Sequence, residues 1–360
     1  MSYTNGLDNP ELYFQTKLYT GDGNSTQAIT LDGSENMQPD WIWIKNRTDG
    51  HYHNLNDSVR GVGATKVLRS NTNGAEGGTS GHVSVIGSNG FTVAAGTSDS
   101  EEVNTSSDNY VAWNWKAGGS ASSNSDGDVT SSVSANTTAG FSIVKFTASS
   151  SSGAMTVGHG LGATPQVVIV KDIGATGNWQ VYFEGIGTAN QQYLKLNDTA
   201  ALANHSGLWG AGMTSSVIGI GVGVAVDASE SDIAYCFAEK KGYSKFGSFT
   251  GNASTDGPFL YTGFKPAWFM IKNASDASAN WQLWDNKRAY AFNEVQAHLY
   301  PNTNGAEVSS TGYNNCDFVS NGIKVREDNG DFNGSGNTVI WMAFAESPFV
   351  NSSGVPNNAR

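Results

Sequence analysis

Two cysteines, Cys236 and Cys316, in 360 residues cannot build a disulfide scaffold, and no C-x-x-C pair marks a redox or zinc motif. Basic residues are scarce: 20 Lys and Arg against 32 Asp and Glu give a net charge of −12. They cluster nowhere, which excludes an ordinary nucleic-acid binder and disfavours anionic membranes. No run of about 18 apolar residues occurs, so no helical membrane span is expected. The start, MSYTNGLDNPELYF, has neither a basic nor an apolar region, so no secretory signal is expected and synthesis is assigned to a cytoplasm. Nucleophile-elbow, P-loop, H-E-x-x-H and dinucleotide fingerprints are all missing. Gly219-Ile-Gly-Val-Gly223 is Gly-rich but follows no βαβ pattern and reads as an alternating strand.

What the chain has is glycine (44 residues), abundant Asn, Asp and Ser, and 11% aromatics including ten Trp. Turn formers with large apolar side chains describe a loop-rich all-β protein with a substantial core. The chain also repeats itself. Pro39-Asp-Trp-Ile-Trp-Ile-Lys45, Pro165-Gln-Val-Val-Ile-Val-Lys171 and Pro266-Ala-Trp-Phe-Met-Ile-Lys272 share one frame. An acid follows each: Asp57, Glu184, Asp285. Next come turns at Asn71-Thr-Asn-Gly-Ala-Glu76, Asn197-Asp-Thr199 and Asn302-Thr-Asn-Gly-Ala-Glu307. Each copy closes on an alternating strand, Val111–Trp115, Ile233–Phe237 or Ile340–Phe344. Landmarks recurring in order three times define a tandem repeat.

The expected organisation is a docking segment at 1–16, repeats at 17–118, 141–242 and 246–349, a Gly/Ser/Asp linker at 119–140 and a tail at 350–360. The Pro-to-Lys strands are apolar on both faces and should be buried on both. The closing strands have one bulky and one small face. The bulky face is expected to fill the repeat's own sandwich core, and the small face to admit a neighbour. Each repeat thus reads as a β-sandwich of jelly-roll, concanavalin-like or laminin-G-like topology. The long linker predicts that repeat 1 hangs loosely from the other two.

Candidate sites are few. Asp57 with Arg60 and Asp285 with Arg288 place an acid and an arginine three apart, a spacing suited to a loop-pinning clamp; repeat 2 offers Glu184 but Gly187 in the arginine's place. Leu12, Tyr13 and Phe14 are expected to dock the chain to a particle. Cys236 is expected to be a small buried residue, and Cys316 has nothing to mark it as a nucleophile. His51 and His53 would share a strand face but lack a signalled third metal ligand. Asp126 with Asp128, Glu101 with Glu102, and Glu327, Asp328 and Asp331 lie in Gly/Asn-rich loops. No cofactor is expected; calcium is the one ion such loops could take.

Ile233-Ala-Tyr-Cys-Phe-Ala-Glu-Lys-Lys-Gly-Tyr-Ser-Lys-Phe-Gly-Ser-Phe-Thr-Gly-Asn252, Tyr261–Lys272, Asp285–Arg288, Met342–Phe349 and Asn351–Arg360 resemble a family of repeat-containing structural proteins of tailed phages of marine bacteria, cyanobacteria among them. The resemblance spans nearly the whole chain. It implies a virion location, a non-enzymatic tail-fibre or tail-associated adhesin, other virion proteins and a host surface glycan or protein as partners, and a homo-oligomer, a trimer before other states. Capsid decoration is the alternative role, and a polysaccharide depolymerase on the same scaffold a further one. The family brings no catalytic residues.

Overall fold

A computed structural model describes residues 6–97, 99, 101–288, 293–309 and 315–358. Among them the chain is nearly all β, arranged in six antiparallel sheets that recur in pairs. One sheet of each pair has the same four-strand nucleus. In repeat 1 its order is Phe14–Thr20, Asn109–Trp115, Trp41–Asn46, Asn54–Asp57. In repeat 2 it is Phe141–Thr147, Ser231–Phe237, Val167–Asp172, Gln180–Phe183, and in repeat 3 Ser244–Thr250, Thr338–Pro348, Phe264–Asn273, Gln282–Asp285. The closing strand is therefore central in every copy, beside the Pro-to-Lys strand. The sheet of repeat 2 is extended at both edges to eight strands.

The second sheet of each pair covers one face of the first. Ile42 and Ile44 pack with Ile29, Val83, Phe91 and Val93 of the strands Thr26–Thr30, His82–Gly87 and Gly90–Ala94. Val168 and Val170 pack with Met155, Val157, Ile218 and Ile220, and Phe269 and Ile271 with Leu260, Phe318, Ile323 and Val325. Alternation does the sorting, since residues two apart share a face. The Asn89-Gly90 and Asn321-Gly322 turns of two covering sheets require their glycine. A Cβ on Gly90, whose φ is 124°, would lie 2.1 Å from the Ile29 carbonyl oxygen, and one on Gly322 would lie 2.3 Å from that of Leu260.

The opposite faces of the three main sheets turn towards one another. Trp41, Trp43, Trp113 and Trp115, then Ile169, Tyr235 and Phe237, then Trp268, Met270, Met342 and Phe344 form one buried cluster drawn from all three repeats. The ring centroids of Trp41 and Tyr235 are 4.5 Å apart, those of Trp115 and Trp268 5.4 Å, and those of Phe237 and Phe344 6.0 Å. Each such aromatic pair contributes roughly 0.5–1.5 kcal/mol beyond its area burial.

This reverses the expectation for the closing strands. Their small residues, Ala112, Ala234, Cys236 and Ala343, face the repeat's own sandwich core, joined in repeat 3 by Trp341, while the other bulky ones fill the shared centre. The physical reason is volume. The covering sheet packs close against the inner side, whereas three converging sheets leave a wider space that large side chains, aromatic rings foremost, fill.

Two boundaries also shift. Residues 119–140, read as a linker, carry the strands Ser122–Asn124 and Ser131–Asn136, which join the sheet of repeat 2. Phe14, Gln15 and Thr16, assigned to the docking segment, already belong to the first strand.

Candidate functional site

The three repeats close into a ring through equivalent hydrogen bonds at their Asn-Thr turns. Within each repeat an asparagine Oδ1 pins the turn by accepting a backbone N–H: Asn71 from His53 at 3.1 Å, Asn197 from Trp179 at 2.9 Å, Asn302 from Trp281 at 3.0 Å. The ring nitrogens of those same three residues then reach the neighbouring repeat. Trp179 Nε1 donates to the Arg69 carbonyl at 3.0 Å and Trp281 Nε1 to that of Lys195 at 2.8 Å; His53 Nε2 lies 3.1 Å from that of Tyr300. Backbone bonds run the same circuit: Glu76 N–H to Ile173 O at 3.0 Å, Leu202 N–H to Ala274 O at 2.7 Å, Glu307 N–H to Arg47 O at 3.0 Å. The last of these joins repeat 3 to repeat 1, so the circuit closes. Arg47 reinforces it with two bonds to the Glu307 carboxylate, both 2.8 Å. Repeat 1 is held as firmly as its sisters, not loosely.

Closure brings the three turns to one place. Asn71, Thr72 and Asn73, then Asn197, then Asn302, Thr303 and Asn304, together with Tyr52, line an open hollow of about 600 Å³. Its lining has amides, hydroxyls and one aromatic face, and no charged side chain. Tyr52 is 45% exposed, and Arg69 sits over its ring with its guanidinium carbon 5.4 Å from the centroid. Asn73 and Asn304 are exposed, and among the described residues neither side chain has a hydrogen-bond partner. Each amide therefore offers an acceptor and two donors to a ligand. The repeated turn was visible in the sequence. Tyr52 was not, because nothing in the sequence brings it across to the turns.

The acid–arginine pairs lie deeper. Asp57 Oδ2 meets Arg60 Nε at 2.5 Å and Asp285 Oδ2 meets Arg288 Nε at 2.5 Å, all four side chains fully buried. Asp57 Oδ1 and Asp285 Oδ1 accept the N–H groups of the turns that carry the arginines. The arginines also bond the carbonyls of Leu55 and Leu283. Each clamp takes a donor from another repeat as well: Tyr235 Oη to Asp57 Oδ2 at 2.8 Å, and Trp113 Nε1 to Asp285 Oδ2 at 2.9 Å. Strand register identifies the counterpart in repeat 2. Trp41 pairs with Asp57 and Trp268 with Asp285, while Val167 pairs with Phe183, not Glu184. The arginine's place, three residues on, is Ile186, not Gly187.

Of the segment expected to dock, Phe14 is 2% exposed, with its ring 4.8 Å from that of Trp115 and 5.7 Å from that of Phe344. It cannot reach a particle because it belongs to the central core. Tyr13 is half-buried, edge-on to Tyr243, and Leu12 is half-buried in the short 3-10 helix Pro10–Leu12.

The remaining candidates separate. Cys236 and Cys316 are buried, and burial raises both thiol pKa values, that of Cys236 to about 12. Thiols held protonated are poor nucleophiles. His51 and His53 diverge. Burial holds His53 well below its ordinary pKa, and its Nδ1 accepts from Trp43 Nε1 at 2.8 Å. His51 instead brings a ring nitrogen within 4.8 Å of carboxylate oxygens of Asp49 and Asp108, and its Nδ1 lies 3.2 Å from Glu101. Glu102 is taken by Arg69 and Asn54. Asp128 accepts from both the backbone and the hydroxyl of Thr156 at 2.8 Å, and Asp126 from Asn124. Glu327 Oε1 accepts the N–H groups of Asp328 and Asn329.

The chain belongs to a family described as a domain of unknown function, DUF7483, whose profile matches residues 9–348. One profile thus spans all three repeats. No curated protein and no solved structure matches the chain.

Proposed function

We propose that the chain is a non-enzymatic virion structural protein of a tailed phage, a tail fibre or tail-associated adhesin, whose axial hollow binds a neutral, hydroxyl-rich ligand of the kind a host surface glycan presents. Its three repeats are read as tandem jelly-roll-type sandwiches, and its partners as other virion proteins. One observation carries the binding reading: turns from three separate repeats deliver amides, hydroxyls and the exposed Tyr52 to one uncharged hollow. Neutral donors and acceptors suit hydroxyls, which both give and take hydrogen bonds, better than they suit ions. An aromatic face offers a sugar ring its apolar side, as Tyr and Asn do in adaptable binding surfaces. The ring of inter-repeat bonds fixes the turns before any ligand arrives, which reduces the ordering cost of binding.

The test is binding of full-length protein to an array of neutral and acidic glycans, followed by saturation-transfer NMR on the best ligand. Neutral glycans should bind, and Tyr52→Ala and Asn73→Ala with Asn304→Ala should each weaken binding about tenfold or more while leaving thermal unfolding unchanged. Binding that is absent, or indifferent to both variants, would remove the hollow as the contact surface.

A further inference from the structure

Repeat 2 departs from its sisters at a second place, where the Pro-to-Lys strand runs out. Register pairs Asn46 with Tyr110, Asp172 with Asp232, and Asn273 with Val339. The residue before each closing strand is also equivalent, since the carbonyls of Asp108, Glu230 and Asn337 accept from Gly21, Ala148 and Gly251. Repeat 2 therefore sets three acids, Asp172, Asp232 and Glu230, where repeat 3 has none and repeat 1 has one.

In all three copies Oδ1 of the first residue performs the same task. It accepts the N–H groups of the following turn: Thr48 and Asp49, Gly174 and Ala175, or Ser275. The second side-chain atom differs. In the sisters it is an amide nitrogen that donates, from Asn46 to Glu101 O, Asp108 Oδ2 and Tyr110 Oη, and from Asn273 to Gly330 O. In repeat 2 it is Asp172 Oδ2, a carboxylate oxygen with nothing to donate.

Asp172 is 3% exposed and Asp232 is fully buried. Among the described residues Asp172 Oδ2 and both carboxylate oxygens of Asp232 have no hydrogen-bond partner. Glu230 Oε2 arches over the turn, where a Cβ on Gly174 would meet it at 2.3 Å. The ammonium of Lys171 is directed to the carbonyls of Asp172 and Ala175, not to these oxygens.

Buried carboxylates need compensation. One proton shared between the pair would supply a single donor to three orphaned oxygens. We infer that a calcium-type divalent cation binds between Asp172 and Asp232, in the place of the amide NH₂ of the sister repeats. Calcium accepts irregular oxygen shells, including bidentate carboxylates, where magnesium demands a near-ideal octahedron.

Full-length protein stripped with EDTA, then titrated with CaCl₂ by calorimetry, should take up one ion per chain. Its Tm should rise by roughly 3 °C or more at 1 mM calcium, and less with magnesium. Asp232→Asn should weaken uptake at least tenfold. The double variant Asp172→Asn with Asp232→Val copies the pair of repeat 3, and should fold without the ion and show no calcium shift. Absence of uptake by wild-type protein at millimolar calcium overturns the proposal in favour of a shared proton. A calcium shift that persists in the double variant overturns it too, because the ion then sits elsewhere.

Discussion

Tyr235 of repeat 2 donates its hydroxyl to Asp57 of repeat 1 across a 2.8 Å bond. The same relationship joins Trp113 of repeat 1 to Asp285 of repeat 3. Rotation once more leads from Met342 of repeat 3 to Phe183 and Ile186 of repeat 2, all three in the buried central cluster. Donor, acid and arginine were thus exchanged together for apolar residues. A carboxylate alone in that core would be costly, and so would an unpaired guanidinium. The clamp exists in two states, fully polar or fully apolar, and both occur within one chain.

That rule can be tested in repeat 1. Asp57→Ala strips the fully buried Arg60 side chain of its closest partner and should cost about 3–5 kcal/mol in urea unfolding. The triple variant Asp57→Phe, Arg60→Ile, Tyr235→Met transplants the apolar set and should cost under about 2 kcal/mol, despite altering more atoms. A triple variant as unstable as the single one would show that the two sets are not interchangeable.

The shared centre predicts one cooperative unit, not three. Phe14, at the very start of the fold, packs on Trp115 of its own repeat and Phe344 of repeat 3. Phe14→Ala should therefore cost about 3–5 kcal/mol, and removing residues 1–16 should destabilise the whole chain. The isolated fragment 17–118, with Trp41, Trp43, Trp113 and Trp115 laid bare, should not fold. Calorimetry of the intact chain should show a single transition whose calorimetric and van't Hoff enthalpies agree. Three resolved transitions, or a well-folded fragment, would contradict the shared core.

The repeat and its strands were legible because alternation and the fixed Pro-to-Lys spacing are local properties. The ring was not. A bulky face announces burial but not what covers it, and Trp115 reads alike whether it meets its own sandwich or Phe344 of another repeat. The clamp in repeat 2 failed differently. Matching acid to acid selected Glu184, whereas ladder register selects Phe183, and a slip of one residue moves a side chain to the opposite face. The axial hollow was half legible. Its Asn-Thr turns repeat in the sequence, but their meeting depends on His53, Trp179 and Trp281 reaching between repeats, which no local pattern encodes.

The lysine that ends each Pro-to-Lys strand predicts a shared pH signature. Lys45, Lys171 and Lys272 are buried, and each ammonium caps the following turn by donating to carbonyls one and four residues on. Desolvation lowers their pKa values from 10.5 to about 7, 8 and 8. Between those values and 10.5 the unfolded chain holds protons that the folded chain has released, so these groups make stability rise with pH across that window. Below about pH 7 the folded lysines are charged as well, and their contribution is unfavourable and constant. Lys45→Met removes one such proton. The stability of wild-type protein relative to this variant should therefore climb from pH 7.5 to 9.5, approaching a slope of about 1.4 kcal/mol per pH unit. Urea unfolding of both proteins at several pH values measures the difference directly, and groups common to the two cancel. A flat difference would mean that the buried ammonium keeps its proton, held by the carbonyls of Asn46 and Asp49 strongly enough to offset its desolvation.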